Sequence, residues 1–87
     1  MRIYSVDLAG ARTLDDIHDK LARDLALTDS YGRNLDALHD VLTSMEGQVR
    51  ITGIRETDDD LDEYLTRLRT VCFDADRENY LLDIVFD

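Results

Sequence analysis

The chain has 87 residues, a length typical of a single domain with one hydrophobic core. Ten basic against twenty acidic residues give a formal net charge of −10, which disfavours direct binding to nucleic-acid phosphates or to anionic membrane surfaces. No apolar run approaches the roughly 20 residues of a membrane-spanning helix, and 44% hydrophobic with 34% charged residues is typical of a folded globular domain.

The beginning of the chain predicts a strand followed by a helix. Residues 2–8 are rich in β-branched and aromatic side chains and predict a strand that Gly10 closes. Thr13 opens a variant of the helix capping box, and the apolar residues behind it recur at helical spacing. A first helix is therefore predicted over residues 14–25.

A polar loop and a second helix follow. The segment 28–33 is interrupted by glycine and predicts a loop, yet it carries Tyr31, an aromatic residue that fits neither a helical nor a strand period. Asn34 is a favourable N-cap for a helix over residues 35–45. The apolar seam of this helix consists of Leu35, Leu38, Leu42 and Met45.

The next segment predicts a second strand and a third helix. Residues 48–54 alternate with period two, and Gly53 indicates a bulge in that strand. Thr57 is a candidate N-cap that precedes three aspartates, and negative charge is favourable in the first turn of a helix. Apolar residues then recur at helical spacing and predict a helix over 58–74.

The chain ends in a predicted turn and a predicted strand. Residues 74–79 are polar and charged and predict the turn, while residues 80–86 predict the strand. This last strand is the most hydrophobic of the three, which makes it a candidate for the middle or best-covered position. The order β-α-α-β-α-β predicts one α/β domain over residues 1–87, with right-handed connections and a small three-stranded parallel sheet covered by helices.

The residue types that usually carry catalysis or bind metals receive structural interpretations. Cys72 lies on the apolar stripe of the third helix beside acidic residues, where a thiol stays unreactive, and we interpret it as core. His18 has no ligand partner one turn further along, and we interpret it as a surface or half-buried structural histidine. Phosphate-binding loops, zinc spacings and catalytic triads are absent from the sequence. We expect no enzyme activity, no cofactor and no metal.

Cysteine usage and the first residues predict where the protein resides. A single cysteine excludes an intramolecular disulfide. The first residues lack the apolar stretch of a secretory signal peptide. We therefore expect a cytoplasmic protein.

The second predicted helix carries an acidic stripe opposite its apolar seam. Asp36, His39, Asp40 and Thr43 occupy positions i, i+3, i+4 and i+7 and therefore share one face. The like charges of Asp36 and Asp40 repel each other at a cost of roughly 0.2–0.5 kcal/mol, and neither has a lysine or arginine one turn further along. From the residues alone, a binding face and a merely solvated face both remain open.

Residues 31–43 read Tyr-Gly-Arg-Asn-Leu-Asp-Ala-Leu-His-Asp-Val-Leu-Thr, and this pattern resembles the signature of the barstar family, intracellular inhibitors of the ribonuclease barnase. Residues 13–18 and 25–27 also match the family's first helix and its exit, so the similarity is strongest over residues 2–45. The resemblance implies a three-stranded parallel sheet with helices packed mainly on one side.

The resemblance also implies a function and a set of contact residues. In that family the second helix and the loop before it plug the active site of a basic microbial ribonuclease in a one-to-one complex. Asp40 would enter the pocket that binds substrate phosphate, and Asp36 would be a second acidic contact. The other residues that the motif assigns to the ribonuclease contact are Tyr31, Gly32, Asn34, His39 and Thr43.

The chain departs from the family at three points. His39 stands where the family has a tryptophan and Ser30 where it has a tyrosine, so two large contact surfaces are reduced. There is space for one helix before the last strand where the family has two, which leaves the later acidic contact open among Asp74, Asp76 and Glu78. An alternative function, an immunity-type or other interaction module with a basic partner that is not a ribonuclease, would use the same acidic stripe.

Overall fold

The computed structural model describes residues 2–54 and 60–87. The elements in these ranges are β1 (Ile3–Asp7), α1 (Leu14–Asp24), α2 (Leu35–Thr43), β2 (Gly47–Thr52), α3 (Asp60–Glu78) and β3 (Leu82–Phe86). The predicted order β-α-α-β-α-β and the α/β class are confirmed. The predicted N-cap Thr57 and the predicted helix start at residue 58 lie outside the described residues.

The three strands form one parallel sheet in the order β1-β2-β3. Val6 pairs with Ile51, and Val49 pairs with Ile84. Of the two alternatives given for the last strand, the middle position is wrong, because β2 lies in the middle. The hydrophobicity of β3 did not predict its position, because the apolar content of a strand depends on how far its two faces are covered and not on its place in the sheet.

The sheet has one covered face and one polar face. Side chains that point to the helices are buried, among them Val6, Val49 and Ile84, while their neighbours along the strands, such as Arg50 and Asp83, are exposed. The expectation of a sheet covered by helices thus holds for one face, as the family resemblance implied. On the other face Arg50 pairs with Asp87 and Gln48 with Asp83, which suits a surface in water.

Gly53 does not form the predicted bulge. The pairing between β1 and β2 runs without an extra residue to the pair Asp7 and Thr52, where β2 ends. Gly53 follows with φ +80, and a Cβ atom built on it would clash with the backbone nitrogen of Ala9. Glycine is required at this position because the chain leaves the sheet in a left-handed conformation against neighbouring backbone.

The helix ends differ from the predictions most strongly in α3. The first two helices end at Asp24 and Thr43 rather than at residues 25 and 45. The predicted turn over residues 74–79 is wrong, because α3 continues through Glu78. Burial explains the difference: Ala75 is fully buried and continues the apolar stripe of the helix, while Arg77 and Glu78 are exposed.

One core lies between the helices and the covered face of the sheet. Cys72 is fully buried in it, which confirms its interpretation as a core residue, and burial raises the pKa of its thiol to about 12. The largest fully buried aliphatic side chains are Ile17, Leu21, Leu38, Leu42, Ile51 and Leu68. No helix in residues 2–54 and 60–87 is both long enough and apolar enough to cross a membrane.

Candidate functional site

The N-terminus of α2 is held by Asn34, as predicted. Its side-chain oxygen accepts a hydrogen bond of 2.8 Å from the backbone N–H of Ala37, and its amide nitrogen donates to the carbonyl of Gly32 at 3.2 Å. The first bond satisfies one of the free amide groups at the start of the helix. Asn34 thereby joins the loop to the helix that carries the acidic stripe.

The C-terminus of α2 is held by Asn79, a residue that sequence reasoning did not identify. Its amide nitrogen donates to the carbonyl of Leu42 at 3.0 Å and to that of Met45 at 2.8 Å, and its oxygen accepts from the backbone N–H of Leu81 at 3.1 Å. Asn79 is 9% exposed. The signal for it was the apolar stripe of the third helix, which continues past Cys72 and reaches Asn79 at helical spacing.

The acidic stripe of α2 faces water, while the opposite side of the helix faces the core. Asp36 and Asp40 are both exposed, whereas Leu38 and Leu42 are each 1% exposed. Within the part of the chain that the structure describes, neither aspartate forms an ion pair. The two carboxylates are therefore available to an external cation.

The other two residues of the stripe have partners inside the protein. His39 Nε2 lies 2.7 Å from a carboxylate oxygen of Glu78, so this side chain leans toward α3. Thr43 donates its hydroxyl proton to the carbonyl of Asp40 at 3.0 Å. Of the three acids left open above, Glu78 is the one whose carboxylate contacts α2, whereas Asp74 pairs with Arg77 on its own helix at 2.9 Å.

Tyr31, unexplained by the sequence pattern, is anchored to a buried histidine. Its hydroxyl lies 2.8 Å from His18 Nδ1, and the other ring nitrogen of His18 lies 2.5 Å from the hydroxyl of Tyr64 on α3. His18 is a structural residue as interpreted, but it is 2% exposed rather than at the surface or half buried. Burial is tolerated because both ring nitrogens are hydrogen-bonded.

A second anchor of the loop is Arg33, which sequence reasoning also missed. Its guanidinium donates to a carboxylate oxygen of Asp19 at 2.6 Å and to the carbonyl of Asp15 at 3.2 Å, both on α1. The backbone of Arg33 has φ +56, in the left-handed region. The chain thus turns sharply just before the N-cap, and the arginine ties that turn to the first helix.

The loop and α2 enclose a surface groove of about 500 Å³. Tyr31, Gly32 and Asp40 line it together, with Val41 and Met45 as apolar neighbours. Thus the fold gathers three of the seven predicted contact residues around one concavity, and one of them, Asp40, forms no ion pair with any residue that the structure describes. The four that lie outside the groove are Asn34, Asp36, His39 and Thr43.

Burial controls the protonation of His18 and Tyr31. It lowers the pKa of His18 below the ordinary 6.5, and the positive charge of Arg33 lowers it further, against the opposite influence of Asp15 and Asp19. Burial also raises the pKa of Tyr31 to about 12. At neutral pH the histidine is therefore neutral and the tyrosine keeps its proton.

We expect the free energy of unfolding to depend more steeply on pH in the wild type than in the variant His18→Gln. Because the pKa of His18 is lowered from 6.5 in the folded state, the unfolded chain takes up a proton that the folded chain excludes. The stability that this provides is present above about pH 6.5 and is lost as the pH falls through the folded-state pKa. Urea unfolding between about pH 8 and pH 5 measures the difference between the two proteins. Parallel curves would contradict a neutral, buried His18.

No group of three or more histidine, cysteine, aspartate or glutamate side chains in the described ranges could hold a metal ion. The site instead presents the exposed carboxylates of Asp36 and Asp40 beside the groove that the loop and α2 form. Such a surface is suited to binding a cationic partner by charge and shape.

A comparison with protein-family models gives a match over almost the whole length of the chain. A family model described as Barstar (barnase inhibitor) matches residues 1–86 of the chain. The match extends from the start of the sheet to the end of β3 and includes the loop, α2 and Asn79.

Proposed function

Because the chain belongs to the barstar family of barnase inhibitors, we propose that it inhibits a barnase-like microbial ribonuclease by placing the acidic face of α2 in the enzyme's basic active site. One observation supports this above all. Asp40 is exposed and lines the groove, and its carboxylate has no cationic partner among the described residues.

Asp40 acts in this mechanism as a substitute for a substrate phosphate. A ribonuclease binds its anionic substrate with cationic side chains, and a carboxylate can form two parallel hydrogen bonds with a guanidinium that otherwise binds phosphate. The caps at Asn34 and Asn79 hold α2 at both ends, so Asp40 is positioned before the partner arrives. Asp36, one turn earlier, supplies a second negative charge to the same basic surface.

The rest of the interface comes from the loop, from other residues of α2 and from α3. Tyr31, Gly32 and Asn34 contact the partner beside the groove, and His39 and Thr43 extend the contact along α2. Among the three acids of α3 that the sequence left open, we assign the later acidic contact to Glu78, because its pairing with His39 holds it next to α2. The family's large aromatic contact is replaced here by the smaller histidine and its acidic neighbour.

The direct test is titration of barnase with the purified protein. We expect one-to-one binding in calorimetry and loss of ribonuclease activity at one equivalent. Titration of a small set of other secreted microbial ribonucleases tests whether histidine at position 39, where the family has a tryptophan, has shifted the specificity to a related enzyme. Failure to bind or inhibit any of them would contradict this function and favour the immunity-type alternative.

Association with the ribonuclease should be fast and sensitive to salt. A protein of net charge −10 attracts a basic enzyme, so we expect an association rate constant above the roughly 10⁵–10⁶ M⁻¹s⁻¹ of unsteered pairs. The rate constant should fall about tenfold or more between low and physiological ionic strength, while the dissociation rate constant changes much less. Stopped-flow mixing at several salt concentrations measures both. A salt-independent association rate would indicate an apolar interface instead.

A further inference from the structure

Three residues that are distant in sequence form one hydrogen-bonded row that begins in the loop. The hydroxyl of Tyr31 is 2.8 Å from Nδ1 of His18, and Nε2 of the same ring is 2.5 Å from the hydroxyl of Tyr64. The two tyrosine rings also pack against the imidazole, with centroid distances of 5.7 and 5.8 Å. The row therefore connects the loop, α1 and α3.

The chemistry of a neutral imidazole couples the two ends of this row. A neutral histidine has one N–H donor and one acceptor nitrogen, so one tyrosine must accept a hydrogen bond while the other donates. Each bond polarises the next one in a buried chain of this kind. Loss of the Tyr64 hydroxyl therefore leaves one nitrogen of His18 without its partner and weakens the restraint on Tyr31.

We propose that Tyr64 is a positioning residue for the partner-binding face: through His18 it holds Tyr31, and with it the loop that leads into α2. This inference rests on the proposed function, in which that loop contacts the ribonuclease. A displacement of Tyr31 also disturbs the start of α2, because the next residue, Gly32, accepts a hydrogen bond from the side chain of the N-cap Asn34. Tyr64 lies on α3, so it influences the binding face of the loop and α2 from a different helix.

The test begins without a partner and uses the variant Tyr64→Phe, which keeps the ring and removes only the hydroxyl. Tyr80→Phe is the matched control, because Tyr80 is 93% exposed. We expect the nitrogen NMR shifts of the His18 ring to change. We also expect amide hydrogen exchange to rise about threefold to tenfold at Tyr31, whose N–H donates to Thr28 at 3.1 Å. Exchange at Val49 in the middle strand should stay unchanged, and the control should match the wild type.

The same variants are then titrated with barnase. We expect Tyr64→Phe to bind about threefold to tenfold more weakly than the wild type, because the loop must be ordered on binding. The double variant Tyr31→Phe/Tyr64→Phe should lose less affinity than the product of the two single losses, because both substitutions act through His18. Tyr80→Phe should bind like the wild type.

The two stages separate the possible failures. An unchanged His18 spectrum and unchanged loop exchange in Tyr64→Phe would overturn the positioning role, whatever barnase does. A looser loop with unchanged barnase affinity would overturn it as well, because the restraint would then be irrelevant to binding. A wild-type protein that binds none of the ribonucleases would contradict the proposed function and, with it, this role for Tyr64 in recognition.

Discussion

Replacement of Asp40 by alanine should weaken binding to barnase by about 2–5 kcal/mol, which is a loss of roughly 30-fold to several-thousand-fold in affinity. The proposed complex buries this carboxylate against the cations that otherwise hold substrate phosphate. Without Asp40 those cations remain buried and unpaired, and an unpaired buried charge is far more costly than a lost surface contact. Calorimetric titration of the ribonuclease with the variant measures the change.

The same substitution should leave the free protein intact. Asp40 is exposed and has no ion pair within the described ranges, and its removal relieves repulsion from Asp36, so we expect stability unchanged or higher by a few tenths of a kcal/mol. Asp83→Ala is the matched control, because it removes one negative charge from the polar face of the sheet. It should change binding by less than about 0.5 kcal/mol. A large loss of stability in Asp40→Ala with unchanged binding would contradict the proposed interface.

Replacement of Asn79 by alanine should lower the free energy of unfolding by about 2–4 kcal/mol. The change removes the side-chain donor from the carbonyls of Leu42 and Met45, of which Leu42 still accepts the N–H of Met45 at 3.4 Å, and it leaves the N–H of Leu81 without its acceptor. The bond to Leu42 is buried where α2, α3 and β3 meet, so water does not readily replace it. Urea unfolding followed by circular dichroism measures the loss.

Asn34→Ala serves as a comparison at the other end of the same helix. It removes the capping bond from Ala37 together with the bond to the carbonyl of Gly32, both at an exposed position, and loss of such a cap typically costs about 1 kcal/mol. The variant of Asn79 should therefore be clearly less stable than the variant of Asn34. Equal and small losses in both would show that the buried amide does not hold the end of α2.

Local patterns in the sequence were enough to predict most of the fold. The caps Thr13 and Asn34 were identified from residue type and position, and both accept the expected backbone hydrogen bond. Helical spacing located α1 and α2 to within two residues of their observed ends. These features depend on interactions among residues close in the chain, which a linear pattern records directly.

The long third helix shows where local patterns are insufficient. The charges at positions 74–79 are typical of a turn, but α3 continues because Ala75 packs into the core and Asn79 bonds to the end of α2. The middle position of β2 and the turn at Gly53 likewise depend on which segments meet in space. Tertiary packing overrides local preference in such places.

For the site, the sequence by itself determined which residues are candidates, and the tertiary structure decided how they are arranged. The acidic stripe of α2 follows from helical periodicity, so Asp36 and Asp40 were identified together. That His39 pairs with Glu78, and that Tyr31 is held through His18 by Tyr64, depended on contacts between residues 39, 13 and 46 positions apart. Such contacts arise only when separate elements bury a common surface, because burial is what requires each polar group to find a partner.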